Sequence, residues 1–560
     1  MVGGVAGGMS FAARARRLAE DAEIVVLERG EHVSFANCGL PYHVAGEIPK
    51  RADLLLHTPE SLAASLNLDV RVGHEVVGID PAARRVSVRD NASGRAFELG
   101  YDALVLATGA VPARPPIPGL DLPQVRTLRT VPDADAVNGL IEDGARRAVV
   151  LGAGFIGLEA VEALHRRGLR VDLVEREPQV LPPLDPELAS LLADELRAHG
   201  VGVHLGVAAA GVRTAPSGAG HKVEVDLADG RVLPADVVLL SVGVRPDTTL
   251  AREAGLALGT GGAVRVDAAM RTSDPHIWAV GDAVEVTDAV TGAPSVVPLA
   301  GPANRQGRVA ADAVLGRQVT APPAVGTAIV RVFGLTAAVT GASATALGRA
   351  GMPHRVVHLH PGDHAGYYPG AEQIHLKLAF ATDGRLLGAQ AVGASGVDKR
   401  IDILATALRA DMSVHDLADL ELAYAPPFGS AKDPVNMAGF LAQNVLHGDT
   451  RLWYAEDLPA LGDRAALLLD VRSAREFEAG HLPGAVNVPH TELRGHLENI
   501  RARAAGAPVR VYCATGFRSY LAHRVLAQAG LDSATLSGGL ATLRATLPDL
   551  RLTGAEPLAA

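Results

Sequence analysis

The chain alternates short apolar runs with longer segments of helical period. Residues 24–28 (IVVLE), 103–107 (ALVLA), 148–151 (AVVL), 171–175 (VDLVE) and 237–242 (VVLLSV) are too short for helices and read as buried parallel strands. Amphipathic helices are predicted around 10–20, 157–167 and 186–199. Strands alternating with helices imply an α/β protein with parallel sheets. Proline-rich and loop-rich stretches at 112–119 (PARPPIPG), 320–326 (TAPPAVG) and 448–455 punctuate the pattern and mark crossings between domains.

Composition narrows the class. At 560 residues the chain exceeds one core, and three to five domains of about 100–200 residues are expected. A net charge of −10 without a polybasic run argues against nucleic acid as a partner. No apolar run reaches the ~18–20 residues of a membrane span, so no membrane partner is expected. Cys38 and Cys513 are the only cysteines and cannot build a disulfide framework, which makes a reducing cytoplasm the expected location.

Two glycine-rich turns carry a nucleotide-binding pattern. Gly3, Gly4, Gly7 and Gly8 open a helix, and Glu28 ends the next strand. Glycines there let a pyrophosphate approach backbone N–H groups, and the acid accepts from a ribose hydroxyl. Val5 stands at the middle glycine position. A full strand should precede Gly3, but only Met1 and Val2 do, so a misassigned or truncated start and weak flavin binding are expected. The second turn is complete: Gly152, Gly154 and Gly157 follow a strand, and Glu175 ends the following one. A carboxylate at 175 favours the free 2′-hydroxyl of NADH, while the adjacent Arg176 leaves NADPH open.

Further pieces lie far along the chain. Thr108 and Gly109 follow the strand 103–107, and TSDPHIWAVGD at 272–282 ends on Gly281 and Asp282. That stretch is similar to the signature of two-dinucleotide-binding flavoproteins, in which its final Asp holds the ribityl chain of FAD. The resemblance assigns Gly3, Gly7, Gly8, Glu28, Arg29, Val76, Thr108, Gly109, Gly281 and Asp282 to FAD, and Gly152, Gly154, Gly157 and Glu175 to the nicotinamide cofactor.

Cys38 sits in SFANCGLPY, with His at position 43 where a C-x4-C pair would place its second cysteine. An intramolecular disulfide is excluded. Oxidising equivalents must be held as a mixed disulfide with a small thiol or as a sulfenic acid. Together with GGVAGG at 3–8 and ELAYAPPFGSAKDPVN at 421–436, this loop resembles coenzyme A-disulfide reductases over about residues 1–447. The resemblance implies a homodimer in which Cys38 forms a mixed disulfide with coenzyme A. Two tyrosines of the partner subunit would protonate the departing thiolate. Tyr424 matches one; the other is Tyr367, with Tyr368 as the alternative. Family contacts to coenzyme A map onto Ser10, Arg14, Arg17, Ser34, Asn37 and Lys432. Related NADH peroxidases and oxidases carry a His in the first glycine-rich loop, where this chain has Ala6.

LDVRSAREFEAGHLPGAVNVP at 469–489, and the strand VRVY leading into Cys513-Ala-Thr-Gly-Phe-Arg518-Ser, resemble a rhodanese domain over 456–550. A cysteine between a strand and a helix N-terminus sits among N–H groups that favour a thiolate or persulfide, and Arg518 adds positive charge. Asp470 and Arg472 brace the loop.

The expected fold is α/β, with two Rossmann-like dinucleotide-binding domains, an α+β dimerisation domain and a C-terminal α/β rhodanese domain. The expected boundaries are 1–111 and 243–320 for the split FAD domain, 112–242 for the NAD(P)H domain, 321–447 for dimerisation and 456–550 for rhodanese. The function implied is reduction of coenzyme A disulfide, persulfide or polysulfide. The alternatives are an NADH oxidase or peroxidase using a sulfenic acid at Cys38, and a redox-sensing sulfur-binding regulator.

Overall fold

The computed structural model describes residues 1–461 and 466–554. It divides into two compact units, one of Met1–Leu181 with Leu196–Gly326, the other of Pro182–Glu195 with Thr327–Ala560.

The first unit holds both glycine-rich turns. Val25–Glu28 pairs in parallel with Asp69–Val72, and Leu104–Leu106 with Ile277–Ala279. Val2 bridges these two pairs, facing Leu27 on one side and Leu106 on the other. Its N–H donates to Val105 O at 2.9 Å, its carbonyl accepts from Ala107 at 2.8 Å, and Leu27 N–H donates to Met1 O at 2.9 Å. Val2 thus lies between the two pairs, at the central position where a strand was expected. The ladder is satisfied on both sides, as buried backbone requires. Helix Ala6–Leu18 then packs on helix Ala300–Val314, and a Cβ at Gly307 would lie 2.2 Å from Gly7 O.

Within the same unit a five-stranded parallel sheet runs Gly202–His204, Arg170–Val174, Arg147–Leu151, Val237–Leu240, Val125–Arg126. Its middle strands are apolar on both faces: helix Phe155–Arg166 packs on the sheet, and Val149, Leu151, Val238 and Leu240 share a core with Val212, Val223 and Val225 of a three-stranded antiparallel sheet, which is why they read as unbroken apolar runs. Helix Phe155–Arg166 follows the central strand.

The second unit contains a five-stranded antiparallel sheet with its strands in the order Ala328–Val332, Leu335–Gly341, Leu386–Gly393, Ile374–Phe380, Arg355–Leu359. Helices Val397–Arg409 and Pro434–Leu446 bury Ile401, Leu404, Val435 and Ala438 in its core. A second sheet, wholly parallel, runs Leu452–Trp453, Ser533–Leu536, Val509–Tyr512, Leu467–Asp470, Val486–Asn487. Its edge strand Leu452–Trp453 begins ahead of the expected boundary at 456. Buried Trp453 donates to Val511 O at 3.1 Å and ties that edge to the core. Among the described residues no helix is long and apolar enough to cross a membrane.

Candidate functional site

The two glycine-rich turns are built alike. The Glu28 carboxylate accepts from Gly4 N–H and Gly30 N–H, both at 2.8 Å. Glu175 accepts from Ala153 N–H at 2.7 Å and Glu177 N–H at 2.9 Å. Each acid therefore clamps the second residue of its turn. Gly3 has φ +97°, and a Cβ there would lie 2.2 Å from Ala107 O. At Gly157 a Cβ would lie 1.9 Å from Gly152 O, so both turns exclude side chains where strand and helix meet. Nothing lies within 4 Å of a Cβ position at Gly154, which leaves that backbone open to a phosphate. The residues present fit two dinucleotides.

The other residues that the resemblance assigns to FAD come from distant segments. Thr108 Oγ1 donates to Asp247 O at 2.6 Å, and Arg29 pairs with Asp247 at 3.1 Å. Gly109 and Gly281 both have positive φ, and Gly281 N–H donates to Gln306 Oε1 at 2.8 Å. Val76 is buried in strand His74–Asp80. Burial pushes the Asp282 carboxyl up, opposed by Arg129 at 3.6 Å.

Cys38 lies in a single helical turn, Asn37–Gly39, and is exposed. Asn37 Oδ1 accepts from its N–H at 3.1 Å. Burial of the thiol side of the loop raises its pKa; Glu159 and Asp282 add to this and Arg129 opposes it. Glu159, from helix Phe155–Arg166, also accepts from Tyr42 Oη at 3.1 Å. Ser34 adopts φ +49°, a conformation unusual for a residue with a Cβ, and its N–H donates to Gly4 O at 2.8 Å.

The residues mapped to coenzyme A divide. Ser10 donates to Asn304 Oδ1 at 2.8 Å, and Arg14 pairs with Asp312 at 2.8 Å, so both are engaged by helix Ala300–Val314. Arg17 and Lys432 are exposed. Arg16, between Arg14 and Arg17, is buried and donates to the carbonyls of Leu66 and Asn67.

On the second unit, Tyr367 and Tyr424 are both exposed and their hydroxyls meet at 2.8 Å. That hydrogen bond raises the Tyr367 pKa. Tyr368 instead packs its ring edge-on against His364.

Cys513 is buried, and its sulfur accepts from Gly516 N–H at 3.2 Å. Gly516 has φ +100° and turns the chain into helix Phe517–Gln528. Arg518 makes two bonds of 2.7 Å to Glu476, whose carboxyl is held at about 2 chiefly by that contact. The buried Asp470–Arg472 pair, at 2.6 Å, lies at the end of the adjoining strand.

Residues 1–307 match the family described as pyridine nucleotide-disulphide oxidoreductase, and residues 327–434 match its dimerisation domain. The chain belongs to this family. Membership implies FAD and a pyridine nucleotide as cofactors. Residues 454–545 match the rhodanese-like domain, so this oxidoreductase carries a rhodanese-like domain after its dimerisation domain. An NADH oxidase of Methanocaldococcus jannaschii is 36% identical over 78% of this chain and 97% of its own length. A coenzyme A disulfide reductase of Staphylococcus haemolyticus is 35% identical over 80% and 99%. Reduced CoADR-RHD of Bacillus anthracis superposes with a TM-score of 0.94 at 41% identity, covering 98% of both chains. An NAD-dependent persulfide reductase from A. fulgidus gives 0.90 at 38%, covering 97% and 99%.

Sequence reasoning missed Arg129, Glu159 and Gln306, which the fold brings to Asp282, Cys38 and Gly281 respectively. Glu159 alone carried a signal, an acid two residues past Gly157 in the helix that follows the second glycine-rich turn. The other two come from remote segments without a motif.

Proposed function

We propose that this protein is an FAD-dependent, NADH-preferring reductase of coenzyme A disulfide, coenzyme A persulfide or polysulfide, whose rhodanese-like domain carries sulfane sulfur on Cys513. One observation carries the reading. Cys38 is exposed on the flavin-binding unit, and the chain's only other cysteine is buried on the other unit. A lone exposed thiol has no intramolecular partner, so it is oxidised to a mixed disulfide with a small thiol or to a sulfenic acid, and this reading takes the first.

The residues divide the work as follows. FAD, when bound, supplies two-electron transfer between NADH and the thiol centre. The Cys38 thiolate attacks one sulfur of the disulfide; the S–S bond breaks, a Cys38–S–S–CoA bond forms, and a coenzyme A thiolate leaves. The Tyr367–Tyr424 pair of a second copy donates the proton that this thiolate takes up. Two electrons then cleave the mixed disulfide. That cleavage regenerates the Cys38 thiolate and releases the second coenzyme A as its thiol; until it occurs, the covalent link holds coenzyme A at the site. Ser10, Arg14, Arg17, Ser34, Asn37 and Lys432 would hold coenzyme A. Glu175 accepts from a free 2′-hydroxyl and repels a 2′-phosphate, which sets the preference for NADH.

The relatives named for coenzyme A disulfide and persulfide reduction support this reading, and the rhodanese-like domain fits a sulfane substrate. The M. jannaschii relative named NADH oxidase favours a second reading, oxygen reduction through a sulfenic acid at Cys38. Against it, Ala6 begins the first helix with no group able to serve peroxide. The deciding experiment is the intact mass of the native protein. Coenzyme A disulfide-bonded to Cys38, with steady NADH consumption on coenzyme A disulfide, is expected. A sulfenic acid at Cys38, with NADH consumed only under air, would overturn it.

A further inference from the structure

Cys513 does not rest on the rhodanese-like domain alone. The turn Ser537-Gly538-Gly539-Leu540 lies against its loop: Leu540 N–H donates to Cys513 O at 2.9 Å, and Ala541 N–H to Ala514 O at 3.0 Å. Gly538 and Gly539 both have positive φ. A Cβ on Gly539 would stand 2.7 Å from Cys513 O, and one on Gly538 would stand 2.8 Å from the Cβ of His358. The turn is therefore pressed between the cysteine loop and a residue of the antiparallel sheet.

His358 grips that turn from strand Arg355–Leu359. Its N–H donates to Ser537 Oγ at 3.2 Å, which leaves the Ser537 proton for His358 Nδ1 at 2.8 Å. His358 Nε2 lies 2.9 Å from Glu187 Oε1, and an ionised carboxylate only accepts, so the network assigns the imidazole proton to Nε2. Glu187 and Asp185 in turn hold Lys377, at 2.5 and 2.9 Å. Ser537, His358, Glu187 and Lys377 are all buried, so the contact is stiff.

We propose that His358, acting through Ser537, is a positioning residue for Cys513: the dimerisation domain sets the shape of the N–H cradle that holds the thiolate or persulfide. This rests on the sulfur-carrying role given to Cys513 above. Among the charged and titratable groups, Arg518, paired with Glu476, and the Asp470–Arg472 pair lie by the cysteine loop and form no bond to His358, while His360 Nε2 meets Thr542 Oγ1 at 2.9 Å just beyond the turn. An effect of His358 on Cys513 must therefore pass through the Ser537–Leu540 turn.

The test uses the full-length, FAD-loaded protein with Cys38→Ser, so that Cys513 is the sole thiol, and measures its alkylation by iodoacetamide against pH. Ser537→Ala should shift the midpoint upward by about one pH unit, about tenfold less thiolate near neutrality. His358→Asn places an amide where Nδ1 stood and should keep the parent midpoint. His358→Gln places one where Nε2 stood, keeps the Glu187 contact, and should shift like Ser537→Ala. A Ser537→Ala profile that superposes on the parent overturns the proposal, whatever the two His358 variants do. A shift in His358→Asn with none in His358→Gln also overturns it, since the effect would then run through Glu187. Transfer of sulfur from thiosulfate to cyanide by the parent protein tests the role of Cys513 separately; its absence would sink that role and leave the alkylation result standing.

Discussion

The hydroxyls of Tyr367 and Tyr424 meet at 2.8 Å on the surface of the second unit, although one lies in the loop before strand Ile374–Phe380 and the other in the loop before helix Pro434–Leu446. In the proposed reaction this pair is the proton donor. Tyr424 raises the Tyr367 pKa, so Tyr367 keeps its proton to higher pH than a lone tyrosine.

Replacing either tyrosine by Phe should lower kcat for coenzyme A disulfide by about 10²-fold, the usual scale for losing a general acid. In Tyr424→Phe the Tyr367 pKa falls back towards its ordinary value. The alkaline limb of the kcat profile should therefore move to lower pH. A pH–rate series on the two variants checks the sign; an unchanged alkaline limb in Tyr424→Phe contradicts it.

The two cysteines should separate cleanly. Cys38→Ser should abolish reduction of coenzyme A disulfide and persulfide while NADH still bleaches the flavin. Cys513→Ser should leave coenzyme A disulfide reduction within about threefold of the parent, and slow turnover when sulfur must first be collected from polysulfide. NADH-consumption assays with each substrate measure both. Equal loss in the two variants would defeat the division of labour.

Glu175→Ala should narrow the gap between NADH and NADPH in kcat/KM by about tenfold or more, through loss of the 2′-hydroxyl acceptor. Because Glu175 also holds Ala153 and Glu177, KM for both nucleotides should rise. If the parent uses NADPH as efficiently as NADH, the role given to Glu175 fails.

Stability of the second unit should fall in acid. Burial alone would push the Glu187 carboxyl up, but His358 and Lys377 outweigh it and hold it at about 2. A carboxyl depressed in the folded state stabilises fully above its ordinary value of 4.5, and that contribution disappears as pH falls towards 2. The term is of order 3 kcal/mol. Denaturant titrations of parent and Glu187→Gln between pH 3 and 7 should show a steep acid loss in the parent and a flatter profile in the variant. Parallel profiles would show that Glu187 does not carry the effect.

The sequence by itself determined what is local. The two glycine-rich turns, with an acid at the end of each following strand, were legible because strand, turn and helix N-terminus are consecutive and only glycine tolerates the approaches there. The position of Cys38 without a nearby partner, and of Cys513 between strand and helix, was legible for the same reason. Tertiary structure decided what is remote. Whether Tyr367 or Tyr368 meets Tyr424 depends on which way a loop faces, and adjacent residues look alike to a motif. That Val2 bridges Leu27 and Leu106 depends on strands supplied by distant segments. His358, Ser537 and Glu187 carry no pattern at all; they become one network because folding brings three separate segments to one buried place, where each polar group must find its partner in another.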